Sequence, residues 1–319
     1  MKRPGGPERK MAHIDDILRA ELTPAQYAAA TDPSPEVLAL ACAGSGKSRT
    51  LAYRVAWLLG SGAAPESIIA FTFTEKAAES IKVRIGNALV AAGLEPTMLG
   101  AMFVGTIHGW CKGVLGEMDA RYRQFEVLDD NRLKLYLISR YGQLGLWERL
   151  QQTGRGRYFQ VIGEVANAWK LVNDEMLDID AVSEHDADLG AVLRELETAM
   201  DRDCFIDFSL MIRRVADALA TGDPVACAAL SPPPHLHVDE YQDVNPAQET
   251  LIRAMRALSQ TLFVCGDDDQ ALYGWRGADV SNILEFASRY PDAAEHTLAR
   301  NFRSTPAIVE AADSFVVAE

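Results

Sequence analysis

Eight residues near the amino end constrain this chain more than any others. Ala41-Cys42-Ala43-Gly44-Ser45-Gly46-Lys47-Ser48 follow an apolar run, Val37 to Cys42, and lead into helical apolar spacing from Lys47 to about Leu59. A buried strand, a glycine turn and a helix form the setting in which backbone N–H groups curl around a phosphate. The helix N-terminus adds positive potential there. Lys47 would then face the β- and γ-phosphates, and the Ser48 hydroxyl a bound Mg²⁺. The strict pattern has Gly at position 41, where this chain has Ala. An ordinary Gly/Ser strand-to-helix turn is the alternative. By itself the loop does not separate kinases, transporters and translocating motors.

The flanking pattern sets the fold class. Further strands are expected at Ser67 to Phe73, Met102 to Thr106, His235 to Val238 and Thr261 to Cys265, with a helix from Glu75 to about Val90. Strands alternating with helices predict an α/β fold with a parallel sheet. Between about Leu115 and Asp203 the chain is mostly polar with helical apolar spacing, as at Leu133, Tyr136 and Leu137. That stretch reads as an all-helical subdomain inserted into the α/β domain. Ser304-Thr305-Pro306 reads as a cap and first turn of a last helix.

Composition narrows the class. Hydrophobic residues make up 48% and charged residues 24% of 319, the profile of a globular protein. No apolar run approaches the ~20 residues of a membrane span. Residues 1–18 begin with a basic, Pro/Gly-rich segment and have no apolar h-region, so they are expected to be a disordered tail, with Met11 as an alternative start. The five cysteines are scattered without metal or redox spacing, consistent with reduced thiols in a cytoplasmic protein. A net charge of −14, much of it between Asp174 and Asp207, argues against a broadly basic surface but leaves room for a narrow basic groove.

A second acidic motif closes the run His235-Leu236-His237-Val238-Asp239-Glu240. Asp239 at the strand end can hold Mg²⁺ opposite Ser48, and Glu240 can orient and deprotonate a water. Two alternatives stand beside this. The pair is also readable as a solvated acidic turn, and His235, His237 and Asp239 at alternate positions share one strand face as a metal-ligand set would.

The residues from Asp239 to Gln248, Asp-Glu-Tyr-Gln-Asp-Val-Asn-Pro-Ala-Gln, resemble motif II of the UvrD/Rep/PcrA group of superfamily 1 helicases. Other segments resemble the remaining motifs in order: Leu22 to Gln26, Ile69 to Ala78, Val104 to Cys111, Gly266 to Ala278 and Leu298 to Ser304. The resemblance implies a RecA-like sheet, ATP and Mg²⁺ as cofactors, and single-stranded DNA and duplex junctions as partners, with 3′ to 5′ movement. It implies that Gln26 reads adenine and that Ala43 to Ser48 and Arg49 surround the nucleotide. Phe302 would stack on the base in place of a tyrosine, and Gln270 and Arg303 would meet the γ-phosphate. It further implies a DNA platform of Phe73, Tyr273 and Trp275, with Thr106, His108 and Arg276 on the backbone. Stacking and phosphate contacts suit a motor that must accept any sequence.

Several positions carry a second reading. Thr23-Pro24-Ala25-Gln26 is also a capping box. Phe73 at a strand end also fits a core, and His108 a helix-start residue. Gly154-Arg155-Gly156-Arg157 fits a solvated loop as well as a phosphate contact.

The expected organisation is a first RecA-like domain at 19–115 and 204–280, a helical insertion at 116–203, and the start of a second RecA-like domain at 281–319. Motifs V and VI of the resembled family, with a further arginine for the γ-phosphate, have no counterpart here. Two functions are therefore expected as alternatives. One is the ATP-hydrolysing half of a helicase, with a second RecA-like domain on a separate chain or further sequence. The other is an ATP-responsive single-strand binding module.

Overall fold

The apolar runs form strands for the reason their composition gives: they are covered on both faces. The computed structural model describes residues 7–152, 158–267 and 281–316. Its strands are β1 (Glu36–Ala41), β2 (Ile68–Thr72), β3 (Phe103–Thr106), β4 (Glu126–Leu128), β5 (Phe205–Asp207), β6 (His235–Val238), β7 (Thr261–Gly266) and β8 (Ala294–Leu298). Among the described residues six of them form one parallel sheet in the order β3-β2-β6-β7-β1-β8. All five residues of β2, Ile-Ile-Ala-Phe-Thr, are buried, as strands inside a parallel sheet must be.

The chain divides into two units. The first comprises residues 1–106, 230–244 and 256–319, the second 107–229 and 245–255. In the first unit the helices include α1 (Pro7–Glu21), α2 (Pro24–Thr31), α3 (Lys47–Gly60) and α4 (Glu75–Ala91). Leu51, Val55 and Leu59 of α3 and Ile81, Ile85 and Leu89 of α4 join Val37, Ala39, Ile68, Ala70 and Phe263 of the sheet in one core. The α3 and α4 boundaries agree with the sequence reading to within a residue.

Three expectations change. The amino-terminal segment is helical from Pro7, and Ile14, Leu18 and Leu22 enter the core at four-residue spacing. A Cβ at Gly60 would stand 1.8 Å from Ile14 Cδ1, so the bare glycine is what lets α1 lie against α3. Next, residues expected to open a second domain are joined to the first sheet, because β8 runs parallel to β1 from Ala294 to Leu298. Its alternating exposure hid it from the apolar-run criterion. Finally, the insertion is larger than 116–203 and not purely helical: β4 and β5 pair in parallel within it.

In this second unit, α5 (Ile107–Met118), α6 (Asp130–Ser139), α7 (Leu146–Gln152), α8 (Tyr158–Asp174), α9 (Ile179–His185), α10 (Ala187–Arg202) and α11 (Phe208–Ala220) surround a core that includes the fully buried Trp169. Trp169 Nε1–H donates to Asp207 Oδ2 at 3.0 Å, while Asp207 Oδ1 accepts the Leu210 N–H and caps α11. Asp207 is buried, and burial lifts its carboxyl to about 6.

Because this group binds its proton more tightly folded than unfolded, its contribution is most favourable at low pH. It weakens as pH rises from the ordinary value of about 4 toward 6. Asp207→Asn is uncharged throughout. The difference in unfolding free energy between parent and variant should therefore shift toward the variant by roughly 2 kcal/mol between pH 4 and pH 7. Denaturant titrations of both proteins at these two pH values check this, and a difference that does not vary with pH would contradict it.

Candidate nucleotide-binding site

Because the sheet is parallel, the carboxyl ends of β1, β2, β6, β7 and β8 open on one edge, where ligands of such sheets bind. After β1 the chain turns through Gly44 (φ 71°) and Gly46 (φ 90°), left-handed conformations that glycine adopts without strain. Neither has room for a side chain. A Cβ on Gly44 would lie 2.7 Å from Asn301 Oδ1 and from Arg303 Cβ, and one on Gly46 2.6 Å from Gln26 Nε2. Gly46 caps α3 with no side chain of its own, so the first N–H groups of α3 have no side-chain cap. The Ser45 hydroxyl is buried without a partner. A cleft here is lined by residues 43–48 with Arg84, Glu240 and Arg303. A glycine cradle, an uncapped helix start, an orphaned hydroxyl and nearby cations fit a phosphate chain.

Opposite the loop, β6 delivers its two carboxylates. Ser48 Oγ–H donates to Asp239 Oδ2 at 3.0 Å, so two hard oxygens meet as a Mg²⁺ site requires. Asp239 Oδ1 accepts from the Cys265 thiol at 3.0 Å and from the Glu240 N–H at 3.2 Å. Burial and then the neighbouring Glu240 charge raise the Asp239 carboxyl above its ordinary value. Lys47 Nζ lies 3.1 Å from Glu240 Oε2 and 3.9 Å from Asp267 Oδ2. Glu240 itself is in the left-handed region at φ 54°, uncommon for a residue with a side chain.

The two histidines of β6 do not join this site. His235 Nδ1 pairs with Thr261 Oγ1 at 2.9 Å, and His237 Nδ1 with the His235 carbonyl at 3.0 Å. Burial, then the charge of Arg54, lowers both, His237 to about 3. Among the described residues no cluster of His, Cys, Asp and Glu could hold a metal in their place. None of the five cysteines forms a disulfide.

Gln26 completes the capping box of its motif. Its Oε1 accepts the Thr23 N–H to complete the capping box, and its Nε2 donates to the Ser45 carbonyl at 2.8 Å. Arg49 is held by Glu21, through the carboxylate at 2.7 Å and the carbonyl at 2.8 Å, and lies over the Tyr53 ring. The chain after β8 lies on the loop: Phe302 N–H donates to Gly44 O at 2.9 Å, and Cys42 Sγ–H to Ala299 O. The Phe302 ring is half exposed, beside Arg300.

The residues expected to face DNA divide. Phe73 is partly buried, and Thr106 is buried with its hydroxyl donating to Glu75. His108 belongs to the second unit, edge-on to Phe208, where burial lowers it to about 4. Gln270, Tyr273, Trp275 and Arg276 lie outside the described residues, as does the Gly154 to Arg157 segment. Sequence reasoning missed Arg84, Cys265, Asp267 and Gln242. Nothing local distinguishes the first two, while the last two lay inside quoted motifs without a role.

The UvrD/REP helicase N-terminal domain family matches residues 22–291. ATP-dependent DNA helicase PcrA of Leuconostoc citreum is 32% identical over 88% of this chain and 37% of its own length. The Bacillus subtilis (strain 168) protein of the same name is 31% identical over 96% and 41%. DNA helicase II of Escherichia coli (strain K12) is 33% identical over 91% and 39%. The chain thus spans about two-fifths of the length of these relatives. With a match over most of its length and a glycine loop meeting paired carboxylates at one edge of a parallel sheet, the chain belongs to the UvrD/REP helicase N-terminal domain family.

Proposed function

We propose that this chain binds ATP with Mg²⁺ and supplies the ATP-hydrolysing half of a motor that moves 3′ to 5′ along single-stranded DNA. The observation that carries this reading is the meeting of Ser48 and Asp239 oxygens beside the Lys47–Glu240 pair, under a loop with no room for a side chain at Gly44 or Gly46. When bound, Mg²⁺ supplies neutralising charge on the phosphate oxygens. Ser48 and Asp239 would hold it. Lys47 would exchange Glu240 for a phosphate oxygen, and the released Glu240 carboxylate would take a proton from the attacking water. Arg303 and Arg84 line the same cleft and would offset charge developing on the transferred group. Gln26 is already bonded to the loop and would turn toward adenine, with Phe302 stacked on the ring and Arg49 beside the sugar. Family resemblance supports the roles of Gln270 and of Phe73, Tyr273, Trp275 and Arg276 toward DNA.

Unwinding is proposed for the chain together with a second RecA-like body, since such motion needs two bodies to close on each other. A strand-displacement assay with the 319 residues alone should show no unwinding; ATP-dependent displacement without a partner would overturn that part.

Three further outcomes are expected. Lys47→Ala should weaken nucleotide binding. Glu240→Gln should keep ATP–Mg²⁺ binding while turnover drops by ~10²–10⁴-fold. Nucleotide titration and single-strand-stimulated phosphate release separate the two variants, and turnover by Glu240→Gln at the parental rate would remove Glu240 from its role. Without any turnover in the parent, the binding-module alternative would stand. Trp275→Ala should lower single-strand affinity by ~1–3 kcal/mol and leave ATP affinity unchanged. Fluorescence anisotropy with a labelled oligonucleotide measures this, and an unchanged affinity would take Trp275 off the platform.

A further inference from the structure

We propose that Gln242 is the positioning residue for Glu240, holding its carboxylate in place when the phosphate of ATP draws Lys47 away. This rests on the ATP-hydrolysis reading above. Gln242 is 2% exposed, in the single turn Tyr241–Asp243 that follows the acidic pair. Its Oε1 accepts the Asp267 backbone N–H at 3.0 Å, and its Nε2 donates to Glu240 Oε2 at 2.9 Å. The first bond fixes the second. A backbone N–H is always a donor, so the amide oxygen must face Asp267 and the NH₂ group must face Glu240.

Glycine at the end of β7 makes this bridge possible. A Cβ on Gly266 would lie 2.8 Å from Gln242 Oε1. The amide thus spans from the end of β7 to the carboxylate after β6, two strands that pair directly.

The need for a brace follows from Glu240 itself. Its backbone is left-handed, a conformation that persists for a residue with a side chain only where neighbours enforce it. Its side chain is 40% exposed and would otherwise sample several rotamers. Lys47 Nζ and Gln242 Nε2 both meet Glu240 Oε2. A phosphate competes for the ammonium of Lys47 but not for an amide NH₂ already aimed at a carboxylate. Gln242 is therefore the partner that survives nucleotide binding, leaving Oε1 of Glu240 to face water.

Two variants test this in the full chain. Gln242→Glu keeps an acceptor toward the Asp267 N–H and removes the donor toward Glu240, whereas Gln242→Leu removes both. In each, kcat of single-strand-stimulated ATP hydrolysis should fall ~10-fold or more, with KM for ATP and nucleotide affinity within ~2-fold of the parent. In the Glu240→Gln background, single-turnover measurements should show no further loss from Gln242→Glu, since the effect runs through Glu240. Parental kcat in Gln242→Glu, or an undiminished loss in the Glu240→Gln background, would overturn the proposal and leave Gln242 a brace of the turn. An independent readout needs no turnover: the side-chain amide resonances of Gln242 should shift on Glu240→Ala. If the parent hydrolyses no ATP, the proposed function fails by itself, and unchanged amide resonances would then overturn the contact separately.

Discussion

A lysine held among carboxylates organises the site edge of the first unit. Lys47 is 9% exposed, 3.1 Å from Glu240 and 3.9 Å from Asp267, and its charge also acts on the buried Asp239. Ion pairs so removed from water gain attraction and lose solvation together, so geometry decides whether they hold. Here the geometry comes from the backbone. Lys47 starts α3, and α3 can start there only because Gly46 turns left-handed above Gln26. The carboxylates outnumber the ammonium, a balance suited to a site where a divalent cation and a polyanion arrive together.

Residues far apart in sequence reach this edge through one rule of topology. In a parallel sheet each strand delivers its carboxyl end to the same side, so positions 48, 239, 267 and 301 become neighbours without long loops. The segment after β8 then closes over the Gly44–Gly46 loop through the Phe302 to Gly44 bond, with Asn301 Oδ1 accepting the Arg303 and Ser304 N–H groups. The closeness of that loop explains why Gly44 tolerates no side chain.

What could be read from the sequence was local and repetitive. Buried strands announced themselves as apolar runs, and the loop and the Asp239–Glu240 pair as motifs. What could not be read was set by partners. β8, Ala-Glu-His-Thr-Leu, alternates because among the described residues it pairs with β1 alone, at the end of the order. β4 and β5 are three residues each, below the length at which a period shows. The stripe Ile14, Leu18, Leu22 lay behind a basic Pro/Gly start, which drew the segment toward disorder. Gln242 and Cys265 act through contacts 25 and 26 residues away, which no local pattern encodes.

The position of β8 has a consequence for colloidal behaviour. A terminal strand offers its outer backbone groups to any strand that comes by, and proteins blunt such edges with charge. On β8 that protection falls to Glu295 and His296, the latter tied to Asp32 at 2.8 Å. Exchanging these for apolar β-formers would leave the cleft beside Lys47 untouched and turn the rim of the sheet into a template for self-association. Glu295 and His296 thus guard the rim of the described sheet while lining no part of the cleft beside Lys47.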